Sequence, residues 1–92
     1  MRKLSKEQRT RLTKAKVPHH KAAWMMSRGL ELDEAIRAYR KRQTVERIRP
    51  RDGVALADWY RKHVRQHIQH DQWPAGVVAY ALKTNATLVN RY

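Results

Sequence analysis

Three histidines, His63, His67 and His70, recur at i, i+4 and i+7 in the segment HVRQHIQH. On a helix they share one face and offer three imidazole nitrogens to a metal ion. A hydrolytic zinc site of that kind also wants a glutamate base inside a His-Glu-x-x-His frame, and that frame is missing. Asp71 is the only carboxylate nearby, and Leu56 and Trp59 fall on the same face. The stripe therefore reads better as a partly buried or partner-facing histidine patch than as a metal site. If it met phosphate or an acidic partner, protonated imidazole would be favoured, and binding would strengthen below about pH 6.5. Elsewhere no nucleophile stands beside a base, no carboxylates are paired, and the scattered glycines make no phosphate loop. Catalytic residues, metals and cofactors are not expected, and the chain reads as a binding protein.

Charge says what it would bind. There are 21 Lys and Arg against 8 Asp and Glu in 92 residues, a formal net charge of +13. Self-repulsion on this scale destabilises a small compact domain unless something negative is bound, so a polyanion or an acidic protein surface is the expected partner. The length allows one domain, which buries only about 60–65% of its unfolded surface and leaves little room for an enclosed catalytic pocket. Cysteine is absent, which removes disulfides and thiolate metal sites and fits a reducing compartment. No apolar run approaches the roughly 20 residues of a membrane span, and the basic start MRKLSKEQRTRLTKAK lacks a signal peptide's apolar core. A cytoplasmic protein without membrane association is expected.

The elements that must position these residues read as helices, giving an all-α bundle of four to five short helices in one domain over 1–92. No stretch alternates apolar and polar residues for the length of a strand. A first helix or basic arm over 1–17 starts with a Ser5-x-x-Gln8 capping box and stops before Pro18. A second runs from His19 to a stop at Gly29. A third opens near Leu32, with Leu32, Ala35, Ile36 and Tyr39 on a core face and Arg37, Arg40, Lys41 and Arg42 on or beside a basic one. Its stripe loses phase past Gln43. A fourth spans about Val54 to His70, with Leu56, Trp59, Tyr60, Val64 and Ile68 inward, and a last unit follows Pro74.

The final stretch, VVAYALKTNATLVNRY, resembles the helix-turn-helix of small bacterial and phage DNA-binding regulators. The resemblance implies Val78, Ala79 and Leu82 as packing positions of the first helix, Asn85 as the cap of the recognition helix, and Leu88 and Val89 as its inward face. Ala86, Thr87, Asn90 and Arg91 would then be exposed, and Asn and Arg are the types that reach adenine and guanine edges. It departs from the family where Lys83 replaces a turn glycine and where Tyr92 ends the second helix after two turns. The alternative is a plain helical hairpin that closes the core. A second stretch, KVPHHKAAWMMSRGLELDEAI, resembles a helix-turn-helix pattern of small phage proteins. Val17, Ala23, Met26, Gly29, Leu32 and Ile36 would pack it, with Glu31 at the cap where Ser is usual.

These readings imply a small basic nucleic-acid-binding regulator of phage or mobile-element type, with DNA ahead of RNA. Candidate contacts are Lys14, Lys16, His19, His20 and Lys21 on the first unit, and Arg37, Arg40, Lys41 and Arg42 on the third helix. At the C-terminus they are Lys83, Thr84, Asn85, Thr87, Asn90 and Arg91. The alternative is a protein-binding inhibitor or adaptor that occupies an acidic or nucleic-acid-binding surface of a larger host complex. Trp24, Met25, Met26, Trp59, Trp73 and Tyr92 would be its anchors.

Overall fold

Residues 4–92, described by a computed structural model, form six helices and no strand; residues 1–3 of the expected basic arm lie outside the described residues. Helix α1, Lys6–Ala15, opens on the expected box: Gln8 N–H donates to Ser5 Oγ at 3.1 Å, and Ser5 N–H donates to Gln8 Oε1 at 2.9 Å. It is no solvated arm, because Leu12 and Val17 are both buried in the core. Helix α2, His19–Ser27, follows Pro18 and turns Ala22, Ala23, Met25 and Met26 inward.

Helix α3, Leu32–Ile48, continues past Gln43, where the sequence pattern loses its phase. Ala38 and Val45 are fully buried, and the inward position between them is Lys41. The Lys41 stem follows the core face while its ammonium lies 3.1 Å from His63 Nδ1 and 6.0 Å from the Trp59 ring centre, so a charged residue conceals an unbroken stripe.

Helix α4, Gly53–Arg65, passes without a break into a π turn, Gln66–His70, in which Asp71 N–H donates to Gln66 O at 3.1 Å. The wider turn changes the angle at which successive side chains leave the axis. His67 is consequently buried and Ile68 is 37% exposed, which reverses the expected inward place of Ile68. Helices α5, Ala75–Ala81, and α6, Ala86–Arg91, complete the chain. Helix α3 packs against α1, α2 and α5, while α5 also carries α6 and the π turn. One apolar cluster running from Leu12 to Val89 joins them in a body 45 × 23 × 19 Å. Among the described residues no helix is long and apolar enough to cross a membrane.

Candidate nucleic-acid interface

The C-terminal pair is two helices and a turn, not one continuous helix. Helix α5 ends as Thr84 N–H donates to Ala79 O at 2.9 Å and Lys83 N–H to Tyr80 O at 3.3 Å. This ending places Lys83 in the left-handed region at φ 54°. Helix α6 then opens on Asn85, whose Oδ1 accepts the Leu88 N–H at 2.8 Å. Val78, Ala79, Leu82 and Val89 are buried and Leu88 is partly so, whereas Ala86, Thr87, Asn90 and Arg91 are all exposed. Asn85, Thr87, Leu88 and Arg91 line a shallow groove along that outer face.

The α2–α3 pair ends its first helix in the same manner. Leu30 N–H donates to Met25 O at 3.2 Å, and Gly29 takes φ 108°. Val17, Ala23, Met26 and Leu32 are buried, and Ile36 is partly buried against the core. Helix α3, however, starts with Glu31, Asp33 and Glu34 in its cap and first turn. Asp33 pairs with Arg11, and Glu34 Oε2 accepts the Trp73 indole N–H at 3.1 Å. Its acids hold the helix start to the rest of the protein.

The candidate cations divide into free and engaged. Lys14 and Arg40 share an exposed groove between α1 and α3, and Lys16 is exposed at the left-handed end of α1. His19 and His20 open α2, with His19 Nε2 3.1 Å from Thr13 Oγ1. Arg37 donates to Asp71 Oδ1 at 2.9 Å and lies over Trp73, so it acts as a brace. Lys41 is turned against His63, and burial lowers its pKa. Arg42 donates to the Tyr80 carbonyl at 2.7 Å and Lys83 pairs with Glu46. Thr84 is only partly exposed within the turn.

Of the three histidines His67 is buried, His63 is half-buried and His70 is exposed. Trp59 stacks on His63 at 4.2 Å, and His67 stacks on Trp73 at 4.4 Å and 5°. His67 Nδ1–H donates to Asp71 Oδ2 at 2.9 Å, which leaves Nε2 as a buried acceptor without a protein partner. Burial and the neighbouring Lys41 ammonium push the His63 pKa down to about 4, and burial lowers His67 against the opposing pull of Asp71. Burial would raise the Asp71 carboxyl, but bonds from His67 and Arg37 outweigh it and hold its pKa low. Only His70 stays exposed, and among the described residues no cluster of side chains could hold a metal. In the free chain burial thus favours the neutral form of His63 and His67, and His70 is the member of the stripe open to a partner.

Two further placements differ from expectation. Met25, Met26 and Trp73 are buried and cannot serve as interface anchors. Trp24 instead meets Tyr80 edge to face on the surface, flanked by Lys21, Arg28 and Arg42. The only sequence signal for that group was the spacing of Lys21, Trp24 and Arg28 along one side of α2. No protein-family model matches the chain, nor does any curated protein or solved structure.

Proposed function

We propose that the chain is a small regulator that binds duplex DNA, with α5, the turn at Lys83 and α6 as its reading element. The observation that carries this reading is the outer face of α6. Thr87, Asn90 and Arg91 stand exposed beside the capping Asn85, on a chain whose net charge is +13. Phosphates would be captured by free cations such as Lys14, Lys16 and Arg40, and discrimination would rest on Asn90 and Arg91, whose side chains suit adenine and guanine edges. With only two turns in α6, the direct readout covers few base pairs.

The test is the salt dependence of affinity for duplex DNA by fluorescence anisotropy. If about six phosphates are neutralised, the log–log slope is expected near −5, and a slope near zero removes the reading.

A second reading is supported by a different place. On either side of the α3–α4 junction the aliphatic side chains of Ile48 and Val54 are 49% and 78% exposed, and exposed side chains of this kind suit a protein partner. A nuclease-treated pull-down that retains one stoichiometric protein would favour this inhibitor or adaptor role over DNA binding.

A further inference from the structure

The outer side of α2 meets the outer side of α5 at a cleft of about 470 Å³ lined by His20, Lys21, Trp24 and Tyr80. That volume falls within the roughly 300–1,000 Å³ of small-ligand sites. The cleft exists because both helices spend their small and aliphatic residues on the core. Ala22, Ala23, Met25 and Met26 turn inward on α2, and Val77, Val78, Ala79 and Ala81 do so on α5, leaving Trp24 and Tyr80 outside. Their ring centres stand 5.7 Å apart with planes at 66°, forming an aromatic corner.

Cations frame the corner. Lys21 Nζ lies 5.2 Å from the Tyr80 ring centre, and Arg28 Cζ lies 5.8 Å from that of Trp24. Arg42 lies 4.5 Å from the Tyr80 ring centre and also donates to the Tyr80 carbonyl, so it fixes the tyrosine in place. No acidic side chain lines the cleft. A planar ring with an anionic group attached satisfies both halves of this arrangement, the ring on the aromatic faces and the anion on Lys21 and Arg28. In a duplex the base faces are covered by their neighbours, so the phosphate backbone alone would leave the aromatic corner unused.

We infer that the Trp24–Tyr80 cleft binds an unpaired base of single-stranded nucleic acid, with the adjoining phosphates held by Lys21 and Arg28. The site is separate from the outer face of α6 and adds a single-strand function to the duplex reading. A base stacked on an aromatic side chain contributes about five- to 150-fold in affinity.

Anisotropy with a labelled oligo-dT 12-mer, an abasic 12-mer of the same phosphate number and a 12-base-pair duplex tests it. The oligo-dT is expected to bind at least about fivefold tighter than the abasic strand. Trp24→Ala should erase that preference while leaving abasic affinity unchanged. Tyr80→Leu, checked for helix content by circular dichroism, serves if Trp24→Ala does not fold. Equal affinities for the two single strands overturn the inference, as does a preference that survives in a folded variant. Duplex binding with a steep salt slope but no base preference overturns it and leaves the duplex reading standing. Base preference without duplex binding supports it and removes the duplex reading. An oligo-aspartate peptide that binds as tightly as oligo-dT, and is equally sensitive to Trp24→Ala, also overturns it.

Discussion

In the α2–α3 pair the turn is made by Gly29 and the second helix opens on Glu31, Asp33 and Glu34. In the α5–α6 pair the turn is made by Lys83 and the second helix opens on Asn85, with no acid in its first turn. Both pairs end their first helix with the same backbone bonding, from Leu30 to Met25 and from Thr84 to Ala79. A helix start carries partial positive charge and exposed N–H groups, which attract anions. In α3 its own carboxylates already meet that attraction, and they would repel phosphate. The first turn of α6 carries no acid. Under the proposed function the two similar hairpins would differ in use because of three acidic residues, and backbone geometry alone does not identify a reading head.

Several substitutions can break or sharpen this contrast. The largest effect is expected from Leu82→Ala, which removes a fully buried side chain at the α5–α6 corner. It should cost about 2–5 kcal/mol in denaturant unfolding and abolish DNA binding with the fold. Next come Asn90→Ala and Arg91→Ala, each expected to erode preference for a selected duplex over random sequence by about 1–3 kcal/mol. Lys14→Ala should weaken all duplexes alike. Equal, sequence-independent losses from both sets would remove direct readout by α6.

The two turns should then respond with opposite signs. Gly29→Ala introduces a Cβ that meets no neighbour within 4 Å, yet its φ of 108° is strained for alanine, so melting should reveal a loss of about 1–3 kcal/mol. Lys83→Gly relieves a left-handed lysine, worth about 1–2 kcal/mol, and forfeits only a solvent-screened pair with the exposed Glu46. It should leave the fold unchanged or slightly more stable. Asn85→Ala should cost about 1 kcal/mol through the lost cap.

The smallest effect is expected with pH. Below pH 6.5 the unfolded chain takes up a proton that folded His63 refuses until about pH 4. The His63 contribution to stability is therefore constant above that window and falls within it as pH drops, by about 0.5–1 kcal/mol once screening of this partly exposed ring is allowed for. His63→Gln should flatten the slope of melting temperature against pH over that range.

Much of the fold could be read from local chemistry. The Ser5 and Asn85 caps, the stop at Gly29 and the breaks at Pro18 and Pro74 are short-range signals, and each appears where the residue types demand it. The exposed face of α6 was instead an implication of the helix-turn-helix resemblance. Two features stayed hidden because they depend on residues far apart in the chain. Lys41 faces inward only because Trp59 and His63 arrive beside it, and without them the α3 stripe looks broken after Gln43. His67 displaces Ile68 from the interior because Asp71 and Trp73 give its ring a hydrogen bond and a stacking partner, at a π turn that helical periodicity does not foresee. The Trp24–Tyr80 corner likewise forms only when α2 and α5 come together against α3.

The position of α3 between α1, α2 and α5 sets a hierarchy of opening. Its central amides can be released only when the surrounding helices separate, so they should exchange with deuterium at the rate of global unfolding. Helix α6 is two turns long and rests mainly on α5. Its amides can exchange by fraying while the other helices remain intact. The segment proposed to read DNA is therefore also the one that can rearrange most cheaply, and protection gained there on adding DNA would report ordering of α6 against its ligand.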